Sequence, residues 1–377
     1  MKNHAFVAER HLQHREEWLR NNLPPSNVTD PIEITSEDLS ALEHRTIRFE
    51  NANELKEIGG VPDELAKTEE ELEIDETSSK SVCKAFTSYI YGNSIPLKKY
   101  EKVFDRVYFP MAIDYYGNEY TDLRVKSGET QELGTPGTTT AYQFRRVIFE
   151  KGAQIKFVGR VDFSADEHIR EANDDYPSYV SVGSSGGDGG DGGKGGNGAN
   201  GAPTENGTDG GVGSPGASGA AGGDAKDTTF HIKNFEAQFV KVYSVGGSGG
   251  DGGNGGDGGD GGNGGDGKDE KHRHGGGDGG NGGDGGNGGN GGNAGNGGKL
   301  IFYTNQPEKI KSEPPVVKGG NGGNGGSGGN GGKGGNGNGG SSGKSGKSGK
   351  SGNSGSAGLA GQAGEVQIFE YESGPSD

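Results

Sequence analysis

Cysteine occurs once in this 377-residue chain, at Cys83. That excludes an internal disulfide framework and a zinc site built on thiolates. Long apolar runs are missing as well. No stretch approaches the roughly 18 residues that a membrane span needs, and residues 1–10 lack the apolar segment of a secretory signal. Basic residues are in deficit, 37 against 54 acidic ones, for a formal net charge of −17. Phosphate backbones are bound by clustered Lys and Arg, so nucleic acid is not an expected partner. Apolar residues make up only 27% of the chain, too few for one ordinary globular domain. The expectation is a chain made without a signal peptide and without a membrane span.

Glycine is what the chain has in excess. Of its 83 glycines, 73 fall in three runs, 183–223, 246–298 and 319–364. The rest of the sequence holds nearly all the large apolar side chains, and only that part can build a hydrophobic core.

Residues 4–22 place Ala5, Ala8, Leu12 and Leu19 on one narrow stripe, which predicts a helix ended by Pro24-Pro25. Thr35-Ser36-Glu37-Asp38 reads as an N-cap opening a short helix to about His44. The acidic stretch 63–76 reads as a solvated helix or linker. From Val82 the chain turns aromatic and β-branched, and Cys83 in this apolar context reads as a buried thiol. Alternation over 146–150 and 154–159 predicts two short strands separated by Lys151-Gly152-Ala153. Each glycine run is followed by a β-like segment, at 228–245, 299–318 and 365–372. Three regions result: a helical, acidic N-terminal arm over 1–80, a β-rich anchor or base over 81–182, and glycine hairpins with their base strands over 183–377.

Inside the runs the period is three. From Gly319 to Gly364 every third residue is glycine. The second run keeps phase from Gly246 to Gly267, loses it over 268–274 and resumes; the first has a single fault at Thr204. A period of three matches the polyproline-II type of helix and neither an α-helix nor a strand. Pro203 and Pro215 are the only prolines in the runs, so collagen does not fit, and much of the sequence is Gly-Gly-X. Two glycine rows per segment let backbones approach closely enough for N–H groups to reach neighbouring carbonyls. The expected fold class is therefore mainly β and irregular: a small α-containing N-terminal region, a strand-rich base, and a polyglycine-II bundle of about six antiparallel arms. At about 3.1 Å per residue, each arm spans on the order of 55–75 Å. Segments 207–223 and 343–364 carry one glycine row and are expected at the edges.

This layout resembles the glycine-rich tip adhesins of tailed phages, in which a polyglycine-II sandwich displays variable loops to a host receptor. The resemblance rests on the glycine runs and the loops between them, and residues 1–150 do not share it. It implies a non-enzymatic adhesin or receptor-binding protein that is extracellular or virion-associated, as in a tail fibre. A host-surface receptor or glycan would be its partner, and residues 1–145 would join it to a larger assembly. The alternative is a structural spacer or coat protein with no specific receptor. The phase breaks mark the tip loops, so the candidate contact residues are Asp269, Glu270, Lys271, His272, Arg273 and His274, with Thr204, Glu205 and Asn206.

No catalytic residue, metal site or cofactor is expected. Matches to GxGxxG arise trivially from glycine at every third position. Gly343-Lys344-Ser345 lacks the upstream glycine of a P-loop, since Asn338 stands there. The row Asp251, Asn254, Asp257, Asp260, Asn263, Asp266 is too sparse to complete the oxygen shell of calcium and reads as a solvated outer face.

Overall fold

A computed structural model describes residues 13–57, 79–90, 94–172, 174–268, 274–321, 323–324, 326–336 and 341–370. Helix α1 (residues 13–22) is followed by strands β1 (Ile32–Thr35) and β2 (His44–Phe49) and helix α2 (Ala52–Glu57). Then come α3 (Ser79–Ile90), α4 (Ser94–Leu97), α5 (Glu101–Tyr108) and β3 (Met111–Gly117). The short helix expected up to His44 shrinks to one 3-10 turn at Leu39–Ala41, because β2 begins at His44. The β-rich region expected from residue 81 opens with helices instead. Val82, Ala85, Phe86 and Tyr89 of α3 line one helical face and pack inward, with Ala85, Phe86 and Tyr89 buried. Cys83 lies off that stripe and is exposed, contrary to the expected buried thiol.

From residue 121 the chain passes back and forth between two sheets. Strands β4 (Thr121–Val125), β6 (Thr139–Phe149), β8 (Arg160–Arg170), β10 (Thr228–Glu236), β12 (Leu300–Thr304) and β14 (Val366–Glu370) join β1, β2 and β3 in a nine-stranded sheet. Strands β5 (Thr130–Leu133), β7 (Gln154–Phe157), β9 (Tyr179–Val182), β11 (Val240–Val245) and β13 (Ile310–Ser312) form a five-stranded one. Every pairing is parallel except β2 with β3. Strictly alternating sheets with parallel neighbours mean that the chain winds in stacked coils, a β-solenoid.

The glycine runs are insertions at one corner of this winding. The first coils pass from the five-stranded to the nine-stranded sheet by short turns. One of these is at Gly159, whose φ of +88° and closeness to the Thr135 carbonyl leave no room for a side chain. At the same corner β9–β10, β11–β12 and β13–β14 are joined through the three glycine runs. Each run leaves as an extension of the five-stranded sheet and returns as an extension of the nine-stranded one.

This geometry overturns the expected bundle of about six antiparallel arms. The framework is two parallel sheets, of nine and five strands, and the glycine segments inherit that order. Segments 183–201, 246–267 and 319–336 run parallel in one layer, and 207–223, 275–298 and 343–364 run parallel in the other. Only segments in opposite layers oppose one another. The inheritance extends to register. An offset of 63 residues relates Tyr179 to Val242 in the sheet and Asp188 to Asp251 in the glycine layer. The same holds for 72 (Thr228 to Leu300, Asn206 to Asp278), 70 (Val240 to Ile310, Asp251 to Asn321) and 66 (Leu300 to Val366, Asp278 to Lys344). Backbone N–H groups of the glycine rows donate to neighbouring segments over 2.7–3.1 Å, from two residues in three in segments such as 246–267 and 275–298. Among the one-row segments, 343–364 does lie at an edge, whereas 207–223 pairs with three neighbours; the opposite edge is 183–201.

Two cores hold the body together. Between the sheets, Phe163, Phe230 and Phe302 of β8, β10 and β12 stand in register, and the Phe230 and Phe302 rings stack at 4.1 Å. Outside the nine-stranded sheet, Phe86, Tyr89 and Phe104 of the helices pack on Phe49, Ile113 and Tyr115. No described helix is long and apolar enough to cross a membrane.

Candidate functional site

The far end of the glycine layers gathers the places where the sequence abandons its period. In the first turn Glu205 N–H donates to Ala202 O at 2.8 Å, closing a tight reversal. Thr204 sits in it at φ +69°, and it is the one non-glycine described residue with positive φ. A β-branched residue in that region is strained. Ala202, Pro203, Thr204, Glu205 and Asn206 are all exposed.

The turns are neighbours. Thr204 N–H donates to Asp266 O and Gly265 N–H to Glu205 O, each at 2.9 Å, which seats the first turn against the root of the second. Gly267 N–H reaches Asn336 O at 2.8 Å and Gly276 N–H reaches Ser341 O at 3.1 Å, which seats the second against the third. Of the residues read from sequence, the structure brings Thr204, Glu205 and Asn206 to this end, with exposed His274 on the second turn. Asp269, Glu270, Lys271, His272 and Arg273 lie outside the described residues. The backbone of Glu205 and the side chain of Asn206 also have structural work. Asn206 Oδ1 accepts the N–H of Asp278 at 2.8 Å.

That contact belongs to a pattern the sequence reading missed. The X-position Asp and Asn residues are more than a solvated face: their Oδ1 atoms accept the backbone N–H of the X residue one coil further on. Asp188 accepts from Asp251, Asp251 from Asn321, Asp278 from Lys344 and Asp284 from Lys350, at 2.6–2.8 Å. Lys194 has no acceptor to offer, and the ladder skips Asp257 there. The signal was present in the sequence, since segment 343–364 has no coil beyond it and carries Lys344, Lys347, Lys350, Ser356, Leu359 and Gln362 at these positions, with a single Asn353 and no aspartate.

A cavity of about 370 Å³ lies between α1 and the outer face of the nine-stranded sheet. Its charges are largely committed to one another. Arg15 donates to Asp162 at 2.7 Å, and Lys233 lies 2.8 Å from Asp166 and 3.5 Å from Glu16. Burial raises the Asp162 carboxyl above its ordinary value while Arg15 pulls it back. This is how α1 is fastened to the solenoid. Among the described residues no group of three or more His, Cys, Asp or Glu is placed to hold a metal ion.

Comparison of the chain with protein-family models, with curated proteins and with solved structures finds no match in any of the three.

Proposed function

We propose that this chain is a non-enzymatic receptor-binding protein, an adhesin, that presents the far turns of its glycine layers to a host-surface receptor or glycan. The observation that carries the reading is Thr204, held at φ +69° in an exposed turn braced against its neighbour. Strain kept in a loop that buries nothing is more readily understood as serving recognition than folding. The flanks support the same reading, since they repeat one surface while the turns vary. Residues 1–145 carry the helices and their separate core, and they are the region available for joining a larger assembly.

The test uses the full chain, on an array of bacterial surface glycans and on intact cells. Glu205→Ala combined with His274→Ala should abolish binding with thermal stability nearly unchanged. Lys156→Ala on the solenoid should bind as the parent does. Equal binding by both variants would sink the tip reading, and binding by none of the three, the parent included, would favour a structural spacer.

A further inference from the structure

Ten Asn-Gly steps lie within the described residues, and the hydrogen bonding of the glycine layers treats one of them differently. In nine, the glycine N–H donates to a carbonyl one coil further on. Examples are Gly255 to Asn324 O, Gly282 to Lys347 O, Gly198 to Asp260 O and Gly207 to Asp278 O, at 2.7–2.9 Å. In the same nine, the asparagine Oδ1 accepts a backbone N–H, as Asn254 does from Asn324, Asn263 from Lys333 and Asn287 from Asn353. The tenth step is Asn330-Gly331. Segment 319–336 has no coil beyond it in its layer, so Gly331 N–H meets no acceptor and Asn330 Oδ1 receives no donor among the described residues. The backbone N–H of Asn330 donates to Asp260 Oδ1 at 2.8 Å and its carbonyl accepts from Gly261, while among the described residues its side chain is held only through Nδ2, to the same Asp260 Oδ1 at 3.2 Å.

We infer that, among the ten described Asn-Gly steps, Asn330 is the site of spontaneous deamidation in the folded protein, and that the glycine layers shield the other nine. The chemistry needs only water. The Gly331 nitrogen loses its proton and attacks Asn330 Cγ; the N–Cγ bond forms, the Cγ–Nδ2 bond breaks and ammonia leaves. Water then opens the succinimide at either carbonyl, giving aspartate or isoaspartate, with no change of oxidation state. A donating, fixed Gly N–H and a pinned side-chain carbonyl both oppose the attack. Each lock lost is a net hydrogen bond's worth of barrier, or about tenfold in rate. The product matters locally. An aspartate at 330 sets a carboxylate against Asp260, and isoaspartate lengthens the backbone beside Gly331, where the chain packs on Gly346 O. Segment 343–364 is then the first to loosen.

The experiment ages the full chain at neutral pH and 37 °C and maps amide-to-acid conversion by peptide mass spectrometry, with a parallel sample in denaturant. In the folded chain Asn330 should convert at least about tenfold faster than any of Asn254, Asn263, Asn281 and Asn287. In denaturant the sites should convert at similar rates. Uniform conversion in the folded protein would overturn the inference. So would the same preference for Asn330 in denaturant, since local sequence would then be the cause.

Discussion

His168 shows how a single buried side chain couples this fold to pH. It lies fully buried inside the solenoid, its ring beside Phe149, Tyr179 and Phe235, with Nδ1 3.0 Å from the Tyr179 hydroxyl. Burial, with a smaller push from Arg170, lowers its pKa from 6.5 to about 3, so the folded chain keeps it neutral. The unfolded chain protonates it near the ordinary value. Its contribution to stability is therefore complete above about pH 6.5 and is lost progressively as pH falls toward about 3. His168→Gln cannot take up that proton. It should lower stability at neutral pH through imperfect packing, yet flatten the decline into acid by about one proton's worth of slope. Urea midpoints measured between pH 7 and pH 4 check this. Parallel declines for parent and variant would mean the acid sensitivity resides elsewhere.

At the scale of the glycine segments, each of the two glycine rows has its own cause. In segment 246–267, a Cβ on Gly249, Gly252 or Gly255 would enter carbonyls of the following segment. One on Gly250, Gly253 or Gly256 would enter carbonyls of the segment one coil earlier. Segment 207–223 has no earlier coil in its layer, and Ser214, Ala217 and Ala220 stand where the second row would be. Segment 343–364 has no following segment, and Ser345, Ser348 and Ser351 replace the other row. In segment 183–201 the row Gly187, Gly190, Gly193, Gly196 meets open space. Two single substitutions therefore part company. Gly256→Val drives a side chain into Gly193 O and disturbs the bonds that Gly256 makes with Ser214 and Gly286, at a cost of about 2–4 kcal/mol. Gly190→Ala touches nothing and should stabilise by about 0.4–1 kcal/mol, because it restricts the unfolded chain. Melting temperatures that move together for the two would refute this account of the rows.

For the whole molecule, stacked coils imply that stability is carried between nearest neighbours. The last coil is the thinnest. β14 pairs only with β12, Ile368 at the end of the core is 38% exposed, and segment 343–364 bonds along its length to 275–298 and 319–336, with Gly361 and Gly364 at its root reaching Val317 O and Ser244 O. Removing residues 365–377 should release that segment while the other five glycine segments keep their bonds to one another. Limited proteolysis should then cut within 343–364 and leave 183–336 intact. Complete digestion would mean that the glycine layers fold as one cooperative unit, and full resistance would mean that β14 clamps nothing.

Much of this was legible locally. The period of three, its breaks and the β-like segments 228–245, 299–318 and 365–372 follow from residue order alone, because side-chain spacing and glycine's missing Cβ act within a few residues. Strands β10, β11, β12 and β14 lie within the segments so marked. What local pattern could not carry was partnership. Whether consecutive strands share a sheet, whether glycine segments run parallel or opposed, and which Asp or Asn meets which N–H all depend on chain offsets of 63 to 72 residues. Those offsets are set by where each coil closes on the last, through contacts such as Phe163 on Phe230 and Phe230 on Phe302. Residue order by itself determined that glycine segments of period three would alternate with strands. Only the tertiary winding decided that they lie in two parallel layers, because the register is set by the solenoid core at their root and glycine rows alone have no side chains with which to choose it.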